Sequence, residues 1–106
     1  MVYFLYDGES VKVGHSKNPR KRVKQLQTGS SSKIQLLGTI YGDKALEKEI
    51  HRQFNRFRII NEWFRPEDEL IQFINDNIIE NRYIHRDDNG KLTSLLRIKA
   101  FCDRKR

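Results

Sequence analysis

The amino-acid sequence predicts a small α+β fold (α/β mixed). The expected architecture is a three-stranded antiparallel sheet flanked by helices, with a short C-terminal appendage. Three observations predict it. First, two short β-branched and aromatic runs, 2–6 and 11–15, enclose an Asp7-Gly8 turn signal, the pattern of a hairpin. Second, a further strand-like run at 34–41 follows a segment with helix start and stop signals. Third, apolar residues recur at helical spacing in the stretches that follow. The order β-β-α-β-α-α leaves a sheet whose apolar face needs helical cover.

The hairpin comes first. Its turn centres on Asp7-Gly8 or on Gly8-Glu9, and both registers give the same facing. Val2, Phe4, Tyr6, Val11, Val13 and His15 share the apolar face, and Tyr3, Leu5, Lys12 and Gly14 share the other. Asn18 then caps a helix with Pro19 at its first position, Pro19, Val23 and Leu26 as its buried stripe, and Gly29 as its stop. After the strand Ile34–Tyr41, Gly42-Asp43 turns into a second helix carrying Leu46, Ile50, Phe54 and Phe57. A third starts near Pro66, with Glu67, Asp68 and Glu69 where the helix dipole favours carboxylates, and presents Leu70, Phe73, Ile74 and Asn77 on one face. Asp88-Asn89-Gly90 predicts a hairpin between Tyr83–Arg86 and Leu92–Leu95, and Asp103–Arg106 is expected to fray. Residues 1–78 form the expected domain, and 79–106 a basic extension of it rather than a second domain.

The 106 residues suit one domain. Apolar residues make up 37% and charged residues 33%, against the usual ~45–50% and ~25%, so a small core under a highly charged surface is expected. The single cysteine, Cys102, excludes a disulfide framework, and no zinc-ligand spacing exists. No apolar run is long enough for a membrane span. The start, Met1 to Asp7, lacks a basic region and a cleavage site, so the expectation is an intracellular, cytoplasmic chain. The net charge of +7 points to a polyanion, most often nucleic acid. The charge is uneven. Residues 1–42 hold 7 basic and 2 acidic side chains, 43–80 hold 6 and 9, and 81–106 hold 8 and 3. Carboxylates with a task are therefore expected in the middle segment.

The hairpin's second face gathers Tyr3 and Lys12 beside Gly14, whose missing side chain is expected to leave room for the backbone of a ligand. Arg22 lies next to Val23 on the first helix, and Glu47 next to Leu46 on the second. His51 follows Glu47 by four residues and shares its helix face. A phenol, an ammonium, a guanidinium and a carboxylate are thus placed to converge. Lys17, Arg20, Lys21 and Lys24, the basic neighbours of Arg22, read as nonspecific phosphate contacts. Glu62-Trp63-Phe64 reads as a core anchor, with Glu62 capping or pairing.

These residues resemble the GIY-YIG endonuclease superfamily, in its phage-T5-type (meiotically upregulated gene) branch. Val2-Tyr3-Phe4 stands for Gly-Ile-Tyr, and Lys12-Val13-Gly14 for Tyr-Ile-Gly with lysine in place of the second tyrosine, as is common in this branch. Arg22 falls ten residues after Lys12, Leu46-Glu47-Lys48-Glu49-Ile50-His51 resembles the branch's Leu-Glu-x-x-Leu-His helix, and Glu62-Trp63-Phe64 matches its Glu-Trp-Phe. The resemblance covers roughly residues 2–75. It implies metal-assisted hydrolysis of DNA phosphodiester bonds by an endonuclease or nickase. Tyr3 would be the general base, Arg22 the phosphate clamp and Glu47 the ligand of Mg²⁺ (or Mn²⁺), with Lys12 and His51 as further catalytic residues. The chemistry suits the residue types. A divalent cation offsets phosphate charge, a carboxylate is a suitable hard ligand for it, and a guanidinium fork grips two phosphate oxygens. The free phenol, with a pKa of ~10, needs a neighbouring cation such as Lys12 to favour phenolate.

No organic cofactor and no membrane partner is expected. A homodimer fits the resemblance, because one small site cuts both strands only in two copies or two events. Two rival readings stand beside the nuclease. One is a catalytically silent nucleic-acid-binding module on the same scaffold. The other is a regulatory protein whose tail, with Leu92, Leu95, Leu96, Ile98 and Phe101, supplies an interaction surface.

Overall fold

The computed structural model describes residues 1–96. The chain begins with two strands, β1 (Val2–Tyr6) and β2 (Val11–His15), and continues through helix α1 (Pro19–Thr28), strand β3 (Gln35–Ile40) and helix α2 (Lys44–Gln53). Two short strands follow, β4 (Arg58–Ile60) and β5 (Trp63–Phe64), then helix α3 (Asp68–Asn77) and a closing hairpin of β6 (Arg82–Arg86) and β7 (Leu92–Leu96). Ile98, Phe101, Cys102 and Asp103–Arg106, which carried expectations above, lie outside the described residues.

The expected three-stranded sheet is corrected. β1, β2 and β3 belong to a five-stranded antiparallel sheet of order β3-β1-β2-β5-β4, and β6 and β7 form a second sheet of two strands. The added strands have three and two residues, too short for a period-2 alternation to register in sequence. They exist because Trp63 and Phe64 pair with Lys12 and Val11 on the free edge of β2.

The hairpin register pairs Tyr6 with Val11 and Phe4 with Val13, so the turn centres on Gly8-Glu9. Gly8 adopts φ +103°, a left-handed conformation that glycine takes without strain. The Asp7 carboxylate accepts from the amides of Glu9 (2.9 Å) and Ser10 (2.8 Å), closing the turn. Between β1 and β3 the register slips after Phe4, which leaves Leu37 as the extra residue of a bulge, fully buried in the core.

The helices begin where their caps predict. Asn18 Oδ1 accepts from the Lys21 amide at 3.2 Å, and Asp43 Oδ1 from the Leu46 amide at 3.1 Å. α2 stops at Gln53, earlier than its apolar spacing suggests, and Phe57 falls in the 3₁₀ turn Asn55–Phe57. Along α1 only Pro19 is buried, while Val23 and Leu26 are half-buried.

One face of the sheet carries the main core. Val2, Phe4, Tyr6, Val11 and Val13 pack with Ile50 and Phe54 of α2, Phe64 of β5 and Leu70, Ile71 and Ile74 of α3. The closing hairpin contributes Ile84 and Leu92 to the same core. Asn75 fixes it there by bonding both the carbonyl (2.9 Å) and the amide (2.7 Å) of Ile84. Glu80 covers the sheet edge at β3, accepting from the Thr39 amide (2.9 Å) and hydroxyl (2.7 Å).

Phe54 anchors α2 in this core at 1% exposure, with its ring edge-on to Phe73 at a centroid distance of 5.2 Å. Phe54→Ala is expected to cost about 3–5 kcal/mol of unfolding free energy in urea titration. Truncating Tyr41, which is 73% exposed, should change it by no more than about 0.5 kcal/mol.

Candidate active site

The second face of the hairpin presents Tyr3 from the central strand, and its phenol lies flat across Gly14 of β2. A Cβ at position 14 would stand 2.4 Å from the Tyr3 hydroxyl and 2.5 Å from the ring carbon that bears it. Gly14 therefore makes room for the phenol. The expectation that it leaves space for a ligand backbone is corrected, because Tyr3 fills that space. Tyr3 is consequently 2% exposed.

Three side chains act on this phenol. The charge of the Arg22 guanidinium of α1 favours its ionisation. Burial and the carboxylates of Glu62 and Glu47 oppose this, burial most strongly, and the net effect raises the Tyr3 pKa above its ordinary 10.0. The cation beside the phenol is thus Arg22. Lys12 serves another partner. Its Nζ lies 3.5 Å from Glu62 Oε1 and 5.7 Å from the centre of the Trp63 ring.

Glu47 is buried by the packing of α2. Ile50, one turn on, is a core residue, and this holds the Glu47 side chain at 6% exposure. Burial is the main cause of a raised Glu47 pKa. The Glu62 carboxylate raises it further by charge and by close approach, and His51 and His15 act in the opposite sense. His51 Nε2 donates to the Val13 carbonyl at 2.8 Å and stands 3.8 Å from Glu47 Oε2. A carbonyl only accepts, so Nε2 carries the proton. That nitrogen neither takes up a proton nor ligates a metal while the bond is made, and the histidine braces α2 against β2. A surface cavity of about 480 Å³ opens beside these groups, lined by Lys12, His51, Arg58, Asn61, Glu62 and Trp63.

The structure therefore brings Tyr3, Arg22, Glu47, His51 and Lys12 to one region and adds Glu62, which sequence reasoning read as a cap or pairing residue. The signal for Glu62 was its place before Trp63-Phe64, yet its neighbours depend on β5 pairing with β2. The basic run is divided by its helix. Arg20 and Lys24 line a groove beside Val23 and Leu36, and Lys17 and Arg20 line another beside Leu36 and Glu80. At ~100° per residue Arg22 points to the opposite side of α1, toward Tyr3. Lys21 is exposed on the same helix.

Among the described residues no group of three or more histidines, cysteines or acids is disposed to hold a metal. The buried Glu47 carboxylate is a hard oxygen donor of the kind an octahedral cation takes, often with only one or two protein carboxylates and a shell completed by water and substrate. No helix among the described residues is long and apolar enough to cross a membrane.

The T5orf172 domain family matches residues 1–78, and the chain belongs to it, a domain related to GIY-YIG-like nuclease folds. No curated protein and no solved structure matches the chain significantly.

Two outcomes follow from this geometry. A carboxyl with a raised folded-state pKa contributes stability only while protonated. That contribution is complete below the unfolded value near 4.5 and is lost as pH rises through the folded value. Urea unfolding in EDTA should therefore find Glu47→Gln and wild type equally stable near pH 4 and the variant more stable at pH 7. Gly14→Ala should cost about 1–3 kcal/mol by overpacking the Tyr3 ring. In a Tyr3→Ala background most of that cost should vanish, which a double-mutant cycle measures directly.

Proposed function

We propose that this T5orf172-domain chain is a small GIY-YIG-type endonuclease or nickase of the phage-T5 branch, hydrolysing DNA phosphodiester bonds with Mg²⁺ or Mn²⁺. The observation that carries the reading is the convergence of Tyr3, Arg22 and Glu47 from β1, α1 and α2 onto one side of the sheet. Each is the residue type that phosphodiester hydrolysis requires.

Glu47 would hold the cation, whose charge, when bound, offsets that of the phosphate and the leaving oxygen. Arg22 is exposed, and its hydrogen bond to Gln25 Oε1 is long at 3.4 Å. Its planar fork is therefore open to two phosphate oxygens. Tyr3 faces the same phosphate and serves as general base toward the attacking water. Its buried phenol holds its proton at neutral pH, and the Arg22 guanidinium favours release. His51 fixes the tilt of α2, and so the position of Glu47, through the Val13 carbonyl. Lys12 holds Glu62 at the mouth of the cavity.

One observation favours a second reading. Lys12, in the place of the second motif tyrosine, is committed to Glu62 and leaves Tyr3 protonated in the resting site. A nucleic-acid-binding module without turnover would look the same. It would bind DNA with an affinity that falls steeply with salt and would cut nothing.

Supercoiled plasmid incubated with Mg²⁺ separates the two. Wild type is expected to nick or linearise it, and Glu47→Ala to lose at least about a hundredfold in rate, the scale of removing one electrostatic stabiliser of a transition state. No cleavage by wild type, or equal cleavage by Glu47→Ala, would reject the nuclease.

A further inference from the structure

Trp63 and Glu62 border the surface cavity of about 480 Å³ together with Lys12, His51, Arg58 and Asn61. The sheet register explains what stands there. Leu5 pairs with Lys12, Lys12 with Trp63, and Trp63 with Ile60, so these four form one row across β1, β2, β5 and β4. Directly opposed residues point to the same side of a sheet, and this is the side that carries Tyr3. Exposure rises along the row. Leu5 is fully buried, Lys12 and Trp63 are half-buried, and Ile60 is 61% exposed on β4, the free edge of the sheet.

The ring and the charges select an occupant. Lys12 Nζ lies 5.7 Å from the centre of the Trp63 ring, beyond the ~3.5–4.0 Å of van der Waals contact, so it does not cover the ring. The Glu62 side chain is 42% exposed, with Lys12 Nζ 3.5 Å from Oε1. A carboxylate there repels a phosphate but accepts hydrogen bonds from the amino group of a base, as from N4 of cytosine. Arg58 bonds the Asn61 carbonyl and, at 2.9 Å, Asn55 Oδ1. It thereby fixes the turn that carries Asn61, with its left-handed φ of 50°, and Glu62. The Glu62 carbonyl in turn accepts from the Val13 amide at 3.0 Å. The result is a held wall that combines an aromatic ring with a carboxylate acceptor. With Lys12 and Arg58 against Glu62, the lining carries a net positive charge, which suits a flat group attached to a phosphodiester backbone. A base inside a duplex cannot offer its face to such a ring.

We propose that this cavity is a nucleobase pocket. An unpaired base of bound DNA stacks on Trp63, with Ile60 at its outer edge, and its amino group donates to the Glu62 carboxylate. The pocket opens beside His51, which stands 3.8 Å from Glu47, so it takes the base of a nucleotide near the phosphate held by Arg22. The substrate class is therefore DNA with an unpaired base, as in a flap, a bulge or a single strand, with cytosine favoured over thymine. The inference rests on DNA being the partner, as in the nuclease proposed above, and it does not depend on turnover.

Trp63 is the single tryptophan of the chain, so its fluorescence reads the pocket directly. In EDTA, a duplex carrying a single-stranded oligo-dC flap should quench it, and the same duplex without the flap should not. Anisotropy of labelled DNA should show the flapped duplex bound about tenfold more tightly than the blunt one, the scale of one base stacked on an aromatic side chain. Trp63→Ala should lose that preference and Trp63→Phe keep most of it. Ile60→Ser, at an exposed position, should reduce it by about threefold and serves where Trp63→Ala does not fold. Glu62→Gln should keep the preference for the flap but lose that for oligo-dC over oligo-dT, about fivefold in wild type, because an amide also donates to thymine. Trp63 fluorescence unmoved by saturating flapped DNA, equal binding of flapped and blunt duplexes by wild type, or an undiminished preference in folded Trp63→Ala or Ile60→Ser would overturn the pocket. Equal binding of the two flaps by wild type would overturn the Glu62 contact. Plasmid cleavage by wild type with Trp63 silent toward the flap would overturn this inference and leave the nuclease standing. A Trp63 response to the flap, with neither plasmid nor flap cut in Mg²⁺, would do the reverse.

Discussion

The alternation of side chains along the β1–β2 hairpin is the constraint on which the rest of the molecule depends. Successive residues of a strand face opposite sides of the sheet, and the register Phe4 with Val13 and Tyr3 with Gly14 is set by a turn that closes around Gly8 and the Asp7 carboxylate. A slip by one residue would send the core set to the site face and Tyr3 into the core. With the register as it is, five apolar residues of the hairpin anchor α2, α3 and the closing hairpin. The opposite face is left to Tyr3, Leu5 and Lys12. Core and site are two sides of the same ten residues, so the stability of one positions the other.

Helix α2 carries this coupling outward. Ile50 and Phe54 drive it against the sheet, and the same packing buries Glu47 one turn earlier. The cost of burying a carboxylate is met by a core that offers large aromatic area, Phe54 against Phe73 and Phe64 beside His51. His51 adds direction to that packing. Its bond to the Val13 carbonyl fixes where α2 crosses β2, and with it the distance from Glu47 to Tyr3 and Glu62.

Electrostatics then sort the charged residues by role. The Arg22 charge favours ionisation of the Tyr3 phenol, Lys12 pairs with Glu62, and burial together with the Glu62 charge holds the Glu47 pKa up. The net positive charge of the first 42 residues is not one basic strip, because the turn of α1 sends Arg22 to the site and Arg20 with Lys24 to a separate groove beside Leu36. Two basic surfaces result, one at the site and one across the helix.

Local chemistry by itself determined the hairpin and its two faces, the Asn18 and Asp43 caps, the helix entered after Pro66 and the turn at Asp88-Asn89-Gly90. Each depends on residues a few positions apart, so backbone preference and hydrophobic period suffice. The ordered residues Tyr3, Lys12, Arg22, Glu47 and Glu62-Trp63-Phe64 were legible for the same reason, as spacings along the chain. The tertiary structure decided the rest. β4 and β5 are too short to carry a period and exist only because β2 offers them an edge. Leu37 is the extra residue where the β1–β3 register slips, and it is buried in the core. Gly14 is filled by Tyr3, the phenol's cation is Arg22, and Lys12 is held by Glu62. These pairings join side chains from different elements, and only the packing that brings those elements together settles which charge meets which.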